Sequence, residues 1–342
     1  MGNVSASASP RRRRATGYLP SLISCCYSFP MAIFDYYVMV DWSSGGRRRG
    51  NRAHAIWIAH GARNASIPNT ESPYSRTEAE RRVRHIITAN LEDDLRVLVC
   101  CDFGYGYPIG FSAGLPTASG SGWKVVWRYL HAALQDDIGT TLGGLPTNRN
   151  NRFDVAEDIN ILMSHATGLH GPFWCLPQAR TRLHIPQNQP AQPFSTAQGN
   201  VLHALRETDR RARSDTPFRL FGTGSVGSQV LTGIPRLHCL RNDPSLVNKS
   251  AVWPFETGWA TDGSWPGSSI RVVHAEIYPG VRKPLEDTIL DRGQVRAMWT
   301  WARDLDKNGQ LWEQFSIPDG IQDGSNDDLI IRLEEGWILG VR

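Results

Sequence analysis

The chain has 342 residues, 40% hydrophobic and 20% charged: enough apolar matter for a packed core and too little charge bias for a disordered chain. No run reaches the ~18 apolar residues of a membrane-crossing helix, and 32 glycines and 21 prolines without a period exclude a collagen-like scaffold. The net charge of +4 comes from Arg11, Arg12, Arg13 and Arg14, and the remaining chain sets 33 basic residues against 33 acidic ones, so it lacks the basic excess of many nucleic-acid binders.

Residues 1–30 are rich in Ser and Arg and contain no acid. That composition fits an organellar transit peptide, a disordered basic tail, or an upstream extension of a reading frame that starts at Met31. The last is the preferred expectation, because patterned sequence begins only at Ile33, and the segment is expected to lie outside the fold. The six cysteines include two adjacent pairs and no C-x-x-C spacing. Neither a zinc site nor a disulfide framework follows, and reduced thiols in a cytoplasmic protein are expected.

Residues 36–43 (YYVMVDWS) form an apolar run that carries Asp41, the pattern of a buried strand. A glycine-bracketed turn with Arg47, Arg48 and Arg49 leads to a second strand over 54–60 (HAIWIAH) and a hairpin. A helix is predicted from about Ser75, which with Thr77 is a candidate cap, to about Leu91. Residues 96–103 (RVLVCCDF) form another buried strand, ending near Asp102. From 108 to 265 the chain is rich in Pro, Gly, Asn and Trp, with helices predicted at 123–135, 153–165 and 224–232. Residues 270–278 (IRVVHAEIY) resume the strand pattern and carry Glu276. A helix over 292–304 follows, with Asp291 as its predicted cap. The outline is a mixed α/β core, residues 31–107 and 266–342, interrupted by a loop-rich, helical insertion at 108–265.

Asp41, Asp102 and Glu276 each close or interrupt an apolar run. Buried carboxylates are costly unless they are paired, protonated or bound to a cation. Three strands bringing three acids together would form a self-repelling cluster that a hard divalent cation, Mg²⁺ or Mn²⁺, relieves, and paired cations of this kind support phosphodiester hydrolysis. Asp291 is a candidate fourth carboxylate. The alternative is that these acids only end strands and cap turns.

The segments Val40-Asp41-Trp42-Ser43, Asp102-Phe103-Gly104-Tyr105-Gly106-Tyr107-Pro108 and Ala275-Glu276-Ile277-Tyr278-Pro279 occur in that order. Together they resemble a family of predicted nucleases with a ribonuclease H-like fold, the DUF429-like family. The resemblance covers most of residues 36–305. It implies a ribonuclease H-like mixed sheet flanked by helices, with Asp41, Asp102 and Glu276 as metal-binding acids. Asp291 joins them as a catalytic residue, in competition with Asp304 and Asp306. A nucleic-acid or nucleotide substrate follows from the same resemblance.

FGTGSVGSQ (Phe221–Gln229) is either a phosphate-cradling helix entry or a plain glycine-rich one, and it is not a P-loop. Ser43, Tyr107, Ser225 and Gln229 are the candidate substrate contacts. NRNNRFD (Asn148–Asp154) and RETDRRAR (Arg206–Arg213) could line a phosphate groove, but the expectation is solvated helix faces. Other readings of the chain are a phosphotransferase of the actin and sugar-kinase branch, with Gly45 and Gly46 at nucleotide phosphates, and a binding protein without chemistry.

Overall fold

Burial of the apolar runs builds one sheet, seen in a computed structural model that describes residues 1–2, 32–45, 55–116, 120, 122–139, 144, 147–164 and 171–342. The expectations for residues 3–31 and for the arginine-bearing turn at 46–54 lie outside the described residues. In chain order the elements begin β1 (Tyr36–Asp41), β2 (Trp57–Ala62), β3 (Asn69–Glu71), α1 (Arg76–Glu92), β4 (Val97–Cys101) and α2 (Trp123–Ala133). Then come α3 (Arg152–Ser164), the short strands β5 (Phe194–Ser195) and β6 (Val201–Leu202), α4 (Glu207–Ala212) and α5 (Gly227–Arg241). The chain closes with β7 (Ser250–Val252), β8 (Val272–Glu276), α6 (Leu290–Lys307), α7 (Leu311–Phe315), α8 (Asn326–Ile330) and a π-helical turn at Ile331–Glu335.

The architecture is α/β. Six strands form a mixed sheet in the order β3-β2-β1-β4-β8-β7; the first three are antiparallel, and β1, β4, β8 and β7 run parallel. Parallel strands are covered on both faces, which explains their unbroken apolar runs. Side chains of one parity, such as Val38, Val40, Val99, Cys101 and Val272, pack with residues of α1, α2, α3 and α5. The other parity, such as Tyr37, Met39, Leu98, Cys100, Val273 and Ala275, packs with α6 and α7. β7 falls inside the segment expected as an insertion, yet it is the edge strand of this sheet. No helix among the described residues is long and apolar enough to cross a membrane.

Local sequence accounts for some boundaries. Ser75 caps α1, its Oγ accepting from the Glu78 N–H at 3.1 Å. The helix predicted over 224–232 is α5, which runs on through Pro235 to Arg241. Val230, Leu231, Ile234, Leu237 and Leu240 bury it so fully that packing outweighs the hydrogen bond lost at proline. The cap of α6 is Ile289, and Asp291 sits in its first turn. Asp306, at the far end of α6, accepts from the Ile33 and Phe34 N–H groups, both at 2.8 Å, and from the Tyr37 hydroxyl at 2.6 Å. It ties the entry of β1 to α6 and is thereby removed as a competitor for the site.

The π-helical turn closes over the segment that follows β4. A Cβ on Gly106 would fall inside contact distance of the backbone carbonyl oxygens of Glu334 and Glu335. Glycine at 106 is therefore a steric requirement. Gly106→Ala is expected to lower stability by about 1–3 kcal/mol; urea unfolding measures this, and a loss below about 0.5 kcal/mol would show that the turn yields without strain.

Candidate active site

The parallel register sets Val40 level with Cys101, and Cys101 level with Glu276. Asp41 and Asp102 are therefore one step further along, level with each other at the carboxyl ends of adjacent strands. By strand alternation they share the face of Met39 and Cys100, over which α6 packs. Asp41 is buried at 7% exposure. Its carboxyl group is hydrogen-bonded to that of Asp102, and both feel the charge of Asp291 from the first turn of α6. Burial, then these neighbouring acids, hold the Asp41 carboxyl well above the ordinary carboxylate range. Asp102 is also pushed well above that range by burial, although the Trp42 N–H donates to its Oδ1 and opposes the shift. Neither acid has an ion-pair partner among the described residues. Two neighbouring desolvated carboxyls without a counter-charge can hold one proton between them or a cation.

Glu276 differs. It shares the parity of Val272 and His274 and so lies on the opposite face of the sheet. Its oxygens accept from Arg206 Nη1 at 2.7 Å and Nη2 at 2.6 Å, and from the Tyr105 N–H at 2.9 Å. The same guanidinium donates to Asp209 at 2.7 and 2.9 Å and to the Glu335 carbonyl at 3.0 Å. Arg206 and Asp209 are both 2% exposed. Burial raises the Glu276 pKa, partly offset by Arg206. The structure thus corrects the expectation for Glu276: it is neutralised by a resident arginine and does not stand with Asp41 and Asp102 as a third ligand. The expectation of a solvated RETDRRAR face is corrected with it at Arg206 and Asp209. Asp102 and Glu276 do line a common narrow crevice at the strand ends, about 20 Å³ in volume, with room for about one water molecule.

The candidate substrate contacts divide. Gln229 Nε2 donates to the Trp42 carbonyl at 2.7 Å, and Trp42 Nε1 donates to Thr232 Oγ1 at 3.2 Å, so α5 fixes the backbone just after Asp41. Ser43 follows on the same loop, its carbonyl accepting from Arg76 Nη1 at 3.0 Å. Ser225 lies half-buried before α5, while Ser228 is committed to the Leu220 carbonyl at 2.7 Å. Tyr107 is a correction: it is fully buried, stacked on Phe111 with ring centroids 4.1 Å apart, and cannot meet a substrate. His274 is a core residue bonded to Ser250 Oγ at 2.8 Å, its pKa lowered to about 3 by burial.

Among the described residues, no three His, Cys, Asp or Glu side chains stand close enough together to hold a metal ion. The oxygen-only, mutually repelling Asp41–Asp102 pair nonetheless suits a hard divalent cation in its chemistry. No family model, no curated protein and no solved structure matches the chain.

Removing one partner of a buried ionic cluster strands the others. Arg206→Met is expected to cost about 3–5 kcal/mol of stability, with partial recovery when Glu276→Gln is added. Thermal or urea unfolding of the single and double variants checks this; a single variant as stable as wild type would show that Glu276 and Asp209 find another route to neutrality.

Proposed function

We propose that this chain is a metal-dependent phosphodiesterase of the nuclease class, built on a ribonuclease H-like core. The observation that carries the reading is the pair of buried carboxyls, Asp41 and Asp102, hydrogen-bonded to each other beside Asp291 and without an ion-pair partner among the described residues. Supporting it are the mixed sheet and the placement of acids at the ends of β1 and β4 and at the start of a late helix, the order that the family resemblance implies. Asp41 and Asp102 would hold Mg²⁺ or Mn²⁺, and Asp291 would add negative charge beside them. Such an ion, when bound, lowers the pKa of water and polarises a phosphoryl oxygen.

The chain's own groups set the rest. Burial and their mutual repulsion favour the protonated forms of Asp41 and Asp102, and a bound cation would favour their carboxylate forms. Gln229 and Thr232 hold the Asp41–Trp42 backbone rigid against α5. The Trp42 N–H orients Asp102. Arg206 is paired with Glu276, which lines the same crevice as Asp102.

The test is hydrolysis of single- and double-stranded DNA and RNA by the full chain with Mg²⁺ or Mn²⁺. Outer-shell changes at metal sites lose about 10–100-fold, so removal of a ligand itself should lose on the order of 100-fold or more. Asp41→Asn and Asp102→Asn are each expected to do so while remaining folded. Metal-dependent hydrolysis that survives either substitution would refute the assignment.

A further inference from the structure

A second concave site lies beside the first. It has a volume of about 420 Å³ and is lined by Asn148, Arg149, Asn150, Arg152 and Arg180, among others. That size is within the roughly 300–1,000 Å³ of ligand pockets. We infer that this cavity binds a phosphoryl-class anion and that it receives a phosphate of the substrate handled at Asp41 and Asp102. The anion site stands on the cavity alone; its part in substrate binding rests on the function proposed above.

The arginines here differ from their neighbours. Arg76 and Arg236 are paired with Asp136, Arg236 also with Glu80, and Arg182 with Asp154 and Glu157. Arg149, Arg152 and Arg180 have no ion pair among the described residues. Among the described residues Arg152 donates to neutral partners, Ser228 Oγ and Asn150 Oδ1, each at 2.9 Å. Arg152 and Arg180 both lie over the Phe153 ring, at 4.3 and 5.0 Å from its centroid, which positions both guanidinium groups. Burial, and then repulsion from Arg76 and Arg180, lower the Arg152 pKa to about 10. Asp154, the acid at the rim, is engaged by Arg182. Guanidinium groups present planar, paired donors that match phosphate oxygens, and an anion here would relieve the mutual repulsion.

Two hydrogen-bond paths join this cavity to the carboxyl pair. Arg76 donates from its backbone N–H to Asn148 Oδ1 at 3.0 Å, and from Nη1 to the carbonyls of Ser43 at 3.0 Å and Gly45 at 3.2 Å. Arg152 bonds Ser228, whose neighbour Gln229 bonds the Trp42 carbonyl. The loop that follows Asp41 is thus anchored to the cavity wall on both sides, which suits one ligand spanning both places.

Arg149 and Arg180 are exposed, so their replacement should leave the fold intact. Inorganic phosphate is titrated calorimetrically into the full chain as wild type, as Arg149→Gln/Arg180→Gln and as Asp41→Asn. The expected result is saturable binding, weakened about tenfold or more in the double arginine variant and unchanged in Asp41→Asn. No saturable binding in wild type, or equal binding in the double variant, would overturn the anion site. A single-stranded oligonucleotide separates free anion from substrate. The double variant should raise KM about tenfold with kcat kept, whereas Asp41→Asn should lose kcat. An unchanged KM would leave a free-anion site and overturn the substrate half. Absence of hydrolysis by wild type would also overturn that half, while the phosphate titration still decides the site.

Discussion

A carboxyl group taken out of water must be neutralised, and this sheet does so differently on its two faces. Glu276 meets Arg206, a buried guanidinium shared with Asp209. Asp41 and Asp102, one step further along the neighbouring strands, are hydrogen-bonded to each other beside the charge of Asp291, with the Trp42 N–H on Asp102 and no ion-pair partner among the described residues. The first arrangement is complete in itself. The second has no counter-charge among the described residues, and the proposed function rests on that difference.

The buried arginines also hold the surroundings in place. Arg206 joins β8, α4 and the π-helical turn through Glu276, Asp209 and the Glu335 carbonyl. Arg76 joins the start of α1 to Asn148, Asp136 and the loop after Asp41. Each links segments far apart in sequence, so the strand ends are framed on both sides by groups that cannot move independently. Arg149, Arg152 and Arg180, without ion pairs among the described residues, lie just beyond this frame. Acidic and basic excess thus sit at adjoining places, although the chain outside the Arg11–Arg14 run is balanced in charge.

Much of the core was legible because unbroken apolar runs mark buried parallel strands, and β1, β4 and β8 all fall within their expected ranges. Asp41 and Asp102 were legible for the same reason, as acids closing such runs. Glu276 misled because its face depends on register, which is set by pairing with β4 and not by local sequence. Tyr107 misled because a tyrosine in a Gly- and Pro-rich segment looks like a loop residue, whereas the ring fills a cluster with Phe111, Phe173 and Phe218. RETDRRAR carried no visible sign that Arg206 would be buried, since one of the two acids it pairs with, Glu276, is 70 residues away. Likewise nothing in NRNNRFD shows that Arg149 and Arg152 line a cavity together with Arg180.

The most direct test of the central claim is calorimetric titration of Mn²⁺ into the full chain across a range of pH, wild type against Asp41→Asn/Asp102→Asn. The account predicts saturable binding that releases protons and tightens as pH rises, because burial favours the protonated pair and a cation must displace that proton. It predicts loss of binding in the double variant. Folded wild type that binds no Mn²⁺, or a double variant that binds as tightly as wild type, would contradict it.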